Sequence, residues 1–122
     1  MWRGLAASLV AVLVVFGCGA DDGAKAKIEQ SGDPVVVDIQ IKDGATTPSG
    51  ELVDVTVGQQ VKLRISSDAD EVVHVHTEPE QEYVLRAGDR IEKSFPVLSP
   101  GVVTVEVHHL DVTIVRLVVQ PD

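Results

Sequence analysis

From Val35 to Gln120 apolar and polar residues alternate with a period of two, and turn-forming residues interrupt the alternation at short intervals. Val35, Val37, Ile39 and Ile41 alternate with Val36, Asp38, Gln40 and Lys42, which predicts a first strand with one apolar face. Residues Gly44 to Gly50 are rich in Gly, Thr, Pro and Ser and read as a loop. Leu52 to Val57 is a second strand. Gly58-Gln59 turns the chain into a third, with Val61, Leu63 and Ile65 inward and Lys62 and Arg64 outward. The polar stretch Ser66 to Glu71 is turn-forming. Val72–Thr77, Glu82–Arg86, Arg90–Val97, Val102–His109 and Val112–Gln120 follow as further strands, with turns at Ala87-Gly88-Asp89 and Ser99-Pro100-Gly101. No segment carries a sustained helical period, and no internal repeat indicates a solenoid or propeller. Some seven to eight short strands in an all-β chain predict a two-sheet sandwich or a barrel, and Greek-key connections are the usual way to link such sheets.

The pattern ahead of Val35 is different. Arg3 precedes an apolar run from Leu5 to Phe16, and the chain turns polar directly after Cys18 with Gly19, Ala20, Asp21 and Asp22. A positive start, an apolar stretch and a small residue before the cut describe a secretory signal. The run is about half the ~20 residues that a spanning helix needs. Val15-Phe16-Gly17-Cys18 resembles the lipobox of bacterial lipoproteins. The resemblance implies a signal peptide over 1–17, cleavage before Cys18 and lipid on its sulfur. Residues 18–34 mix Gly, Ala, Asp, Lys and Ser without an apolar period and read as a flexible tether, which leaves 35–122 as the domain. A soluble secreted product cut elsewhere is the other reading. Acyl chains contribute about 0.8 kcal/mol per buried methylene, so two or three of them hold a protein at a membrane where one does not.

Charge narrows the partners. After the signal nine basic residues face nineteen acidic ones, a formal charge of about −10. Such a surface repels phosphate backbones and anionic headgroups, so nucleic acid is not an expected partner and the lipid is the expected membrane contact. Aromatic residues make up only 3% of the chain, too few for an aromatic-lined sugar or base cleft. Cys18 is the only cysteine and Met1 the only methionine, so a processed, lipidated chain has no disulfide, thiolate metal ligand or cysteine nucleophile.

The remaining chemistry is carried by histidines. His74 and His76 are two apart on a predicted strand and share a face, their α-carbons separated by about 6.6 Å. Two imidazoles at that spacing can converge on one metal ion. His108 and His109 are adjacent, so a regular strand sends them to opposite faces. His108 shares its side with Glu106, and His109 shares the parity of Val103, Val105 and Val107. Inward Val73 and Val75 would put both His74 and His76 on the outside. Imidazole nitrogens with a carboxylate oxygen suit Cu²⁺ or Zn²⁺, and His74, His76, His108 and Glu106 are the candidate ligands. Hydrogen bonding between strands, simple solvation, and pH sensing near 6.5 are the other roles open to these side chains. Glu78, Glu80 and Glu82 alternate through a Pro-containing stretch that reads as a solvated loop, or else as a cation-attracting rim. Asp68, Asp70 and Glu71 lack the spacing of a calcium loop, and the serines lack a nucleophile-elbow setting.

Asp70-Glu71-Val72-Val73-His74-Val75-His76 resembles the D-E-V-H-V-H stretch of cupredoxin-like domains in actinobacterial lipoproteins, with one extra valine. Val57-Gly58-Gln59-Gln60-Val61-Lys62-Leu63 is similar to that family's V-x-x-G-x-x-V-x-L entry strand. Ala87-Gly88, Phe95 and the run from Pro100-Gly101 to Glu106-Val107-His108 resemble its A-G, F and P-G-x-Y-x-V-E-L-H segments. Thr77-Glu78 stands where a glycine and a tyrosine are common, and Val103 replaces a common aromatic. The resemblance implies a cupredoxin-like Greek-key sandwich on the outer face of the cell membrane. It does not imply blue copper, which needs two histidines, a cysteine thiolate and usually an axial methionine. The matching pattern puts Val107 where the thiolate would stand. The expected protein is a lipid-anchored, extracytoplasmic, non-catalytic binding module, with a cell-envelope protein as its candidate partner. The alternative is a copper or zinc binding and delivery protein using His74, His76 and His108. No cofactor is fixed by the sequence, and no catalytic set points to an enzyme.

Overall fold

The computed structural model describes residues 32–122. The expected signal segment 1–17, Cys18 and most of the expected tether lie outside the described residues. Among the described residues nine strands form: β1 (Val35–Lys42), β2 (Ala45–Thr47), β3 (Glu51–Thr56), β4 (Gln60–Ser67), β5 (Glu71–Val75), β6 (Gln81–Leu85), β7 (Arg90–Pro96), β8 (Gly101–Val107) and β9 (Val112–Gln120). They build a four-stranded sheet in the order β2-β1-β4-β7 and a five-stranded sheet in the order β3-β9-β8-β5-β6. Three antiparallel hairpins, β1–β2, β5–β6 and β8–β9, are joined by connections that cross between the sheets, which leaves β1–β4 and β3–β9 as parallel pairs.

The alternation read along the chain is what separates core from surface. Val37, Ile39 and Ile41 on β1, Val61, Leu63 and Ile65 on β4, and Val73 and Val75 on β5 all point between the sheets and are buried. Val105 and Val107 on β8 and Leu117 and Val119 on β9 meet them, with Phe95, Leu85 and Tyr83 as the larger fillers. Short β-branched side chains suit this packing because they stand stiffly on a pleated surface and leave few rotamers to be lost.

Four details differ from the sequence reading. The segment read as one loop contains β2, paired with β1 through Gln40–Thr47, Ile41–Thr46 and Lys42–Ala45. Asp43 and Gly44 connect the two with φ of 53° and 73°, the positive pair that a two-residue hairpin turn requires. Ser66 and Ser67 continue β4 rather than starting the gap. In the β8–β9 ladder the register steps from Val105–Val115 to Glu106–Thr113, so Ile114 is the extra residue of a bulge and both Ile114 and Val115 are buried. Finally, β5 ends at Val75 and β8 at Val107. His108 and His109 therefore belong to a turn closed by Asp111 N–H on His108 O at 3.2 Å. His109 is exposed rather than following the buried valine parity, because the strand that would have carried the parity has already ended.

Candidate metal centre

Val73 and Val75 are fully buried, so His74 between them projects from the outer face of the five-stranded sheet. The two neighbouring strands then decide what surrounds it. The β5–β6 register places Glu82 opposite His74, and the β5–β8 register places Glu106 opposite it on the other side. Directly opposed residues have Cβ atoms about 4.5–5.5 Å apart, so one imidazole is flanked by two carboxylates. The connection from His76 to Glu80 supplies a third. Thr77 N–H donates to Val75 O at 2.9 Å, and Thr77 Oγ1 donates to Pro79 O at 2.8 Å, which turns this segment back over β5.

Glu80 Oε1 ends up 2.9 Å from His74 Nδ1 and 3.8 Å from His76 Nδ1. A single carboxylate oxygen thus occupies the point on which two imidazole nitrogens converge. Glu82 Oε1 lies 3.5 Å from the same His74 nitrogen. The other ring nitrogen of His76, Nε2, is 2.9 Å from Glu106 Oε1. The His108 ring is tilted over His74 with centroids 5.0 Å apart, and the His76 ring is near-parallel to His74 at 6.3 Å. Among the described residues, His74, Glu80 and Glu82 form a group whose ligand atoms all lie within 4.8 Å of one another.

Charge follows the same geometry. The hydrogen bond to Glu80 raises the His74 pKa above its ordinary 6.5 against the lowering effect of desolvation, with the charges of Glu82, Glu80 and Glu106 adding to the rise. The reciprocal hydrogen bond from His74 lowers the Glu80 pKa, with the charges of His76 and His74 helping. Three carboxylates on one small patch repel one another unless protons or a cation sit among them. Nitrogen and oxygen donors of this kind suit Cu²⁺ or Zn²⁺. They do not suit a blue-copper centre, since residues 32–122 contain no cysteine or methionine.

The expected ligands are thus distributed as follows. His74, His76 and His108 are brought to one side of the sheet, while Glu106 faces the far nitrogen of His76. His109 is directed elsewhere, its Nδ1 3.1 Å from Oε2 of the buried Glu71. Glu80 and Glu82, read from the sequence as a solvated stretch, are the carboxylates nearest His74. The available signal was the alternation of Glu78, Glu80 and Glu82 directly after a histidine pair, at hairpin distance.

The sequence matches no family model, and no curated protein matches it. Solved structures do match in fold. A blue copper oxidase from Nitrosomonas europaea superposes with a TM-score of 0.59 at 15% identity over 74% of this chain and 40% of that one. A copper nitrite reductase from the same organism gives 0.56 at 17% identity over 74% and 42%. Auracyanin A, a "blue" copper protein from Chloroflexus aurantiacus, gives 0.54 at 13% identity, covering 72% of this chain and all of that one. This chain therefore spans about two fifths of the reductase and oxidase chains and the whole length of auracyanin A. With its two facing sheets and these neighbours, the domain is a cupredoxin-like β-sandwich.

Proposed function

We propose that this protein is a lipid-anchored, extracytoplasmic cupredoxin-like module. It binds one divalent transition-metal ion, Cu²⁺ or Zn²⁺, on the outer face of its larger sheet, and it neither carries electrons as blue copper nor catalyses a reaction. The observation that carries the reading is the position of Glu80 Oε1, 2.9 Å from His74 Nδ1 and 3.8 Å from His76 Nδ1. A cation at that place would take His74, Glu80 and Glu82 as ligands, joined by His76 through Nδ1, with the His108 ring beside His74. Zinc–nitrogen bonds are about 2.0–2.1 Å, so the side chains would close in on a bound ion. Metal binding would also relieve the mutual repulsion of the carboxylates. The lipid anchor rests on the lipobox-like segment ending at Cys18.

Calorimetric titration of the mature protein with Zn²⁺ and Cu²⁺ tests the site. One ion per chain is expected to bind with a Kd below about 1 μM, an affinity beyond −8 kcal/mol. A His74→Ala/His76→Ala variant and a Glu80→Gln/Glu82→Gln variant are each expected to lose that binding. Equal, weak uptake by wild type and both variants removes the metal reading and leaves a binding module that acts through protein contacts alone. An intense visible band on adding copper would show that blue copper had been wrongly set aside.

A further inference from the structure

We propose that Glu106 is the positioning residue of this site rather than one of its ligands: it holds His76 in the tautomer that frees Nδ1 for the metal. The inference rests on the metal reading above and specifies how the site is prepared. The two nitrogens of His76 face two different carboxylates. Nε2 is 2.9 Å from Glu106 Oε1, a full hydrogen bond, whereas Nδ1 is 3.8 Å from Glu80 Oε1, too long for one. An ionised carboxylate only accepts, so the nitrogen that meets Glu106 must carry the hydrogen. A neutral imidazole has one hydrogen, and once Nε2 has it the lone pair is on Nδ1, which faces Glu80 and His74.

The fold gives Glu106 the rigidity that such a role needs. It stands on β8, between β5 and β9, with Val105 and Val107 on either side fully buried. Glu80, by contrast, is on the connection between β5 and β6 and not on a strand. A carboxylate that accepts the far N–H of a ligating imidazole fixes the ring and raises its basicity, and its loss typically weakens metal binding 10–100-fold.

Two measurements on the mature protein decide this. Long-range ¹⁵N–¹H correlation spectra of the metal-free protein at about pH 8.5, well above the ordinary histidine range, report the His76 tautomer directly. Wild type is expected to be in the Nε2–H form. Glu106→Ala is expected to show a mixture of tautomers. Glu106→Thr, whose β-branched side chain maintains the strand but cannot reach Nε2, is expected to show the same mixture. In Zn²⁺ titrations both variants should still bind one ion, roughly 10–100-fold more weakly than wild type. An unchanged His76 tautomer in both variants overturns the proposal. So does complete loss of stoichiometric binding, which would make Glu106 a ligand. If wild type binds no metal, the reading of the site fails, while the tautomer spectra still decide whether Glu106 orients His76.

Discussion

His74 is half-buried between three carboxylates, and its protonation is set by what the fold brings to it. Its raised pKa comes first from the Glu80 hydrogen bond, and the same bond depresses Glu80. The signs fix a pH window. A histidine with a raised folded pKa contributes stability that is complete below its unfolded value and disappears as pH climbs through the folded one. A carboxylate with a depressed folded pKa contributes stability that is complete above its unfolded value and disappears as pH falls through the folded one. The pair therefore contributes most between the ordinary glutamate range and the ordinary histidine value near 6.5. An NMR titration of the metal-free protein should place the His74 midpoint above 6.5, and Glu80→Gln should move it down. A midpoint that stays put in Glu80→Gln would mean that the 2.9 Å contact does not persist in solution. Metal must displace the His74 proton, so uptake should weaken on acidification through this same midpoint. At this scale the sequence showed the histidines, the common face of His74 and His76, and Glu106 as a candidate beside them, but not Glu80 as the partner of His74. Glu80 precedes β6 by one residue, and nothing in its local pattern distinguishes it from the exposed Glu78.

The strands themselves were the most legible level. The alternation located β1, β7 and β9 to within a residue at each end, because side-chain direction in a strand is set by the residue's own backbone. The three-residue β2 escaped, since so short a segment shows no period. Its signal was the Asp43-Gly44 dipeptide after an alternating run, which is a hairpin turn signal in its own right. Gly44 has φ 73°, and a Cβ built there meets no atom within 4 Å, so replacement would cost backbone conformation and nothing else. Gly44→Ala should thus destabilise the domain by about 1–2 kcal/mol, measured by urea unfolding, with an unchanged m-value. A neutral result would show that the turn relaxes to another type without disturbing the β1–β2 pairing. The bulge at Ile114 was not legible in the same way. Two consecutive buried residues in an otherwise alternating strand are decided by the β8 partner, not by β9 alone.

For the whole molecule, composition and topology act together. The valine-rich alternation supplies two apolar sheet faces, and burying them against each other is the only arrangement that removes both from water. Among the described residues Glu71 is the one buried acidic side chain, and the formal charge of −9 carried by the whole sequence makes anionic partners unfavourable. The proposed membrane attachment rests on Cys18, since the sequence carries no polybasic patch that would bind anionic lipid. Cys18→Ser is expected to move the protein from the membrane fraction to the soluble or secreted one, with the Zn²⁺ affinity of the domain unaltered. Retention of the Cys18→Ser variant in the membrane fraction would remove the lipid anchor from the proposed function.

The linear chain by itself determined most of the strands, the apolar side of each regular one, and that no thiol or thioether lies within residues 35–122. These are local or compositional properties, and neither depends on what another strand does. Tertiary structure decided which strands became neighbours, and with that the chemistry. Only the β5–β6 and β5–β8 registers set Glu82 and Glu106 on either side of His74, and only the path from His76 to Glu80 carries a carboxylate oxygen to both imidazoles. Register and loop path are settled by packing between distant segments, where a shift of one residue would send every one of these side chains to the opposite face.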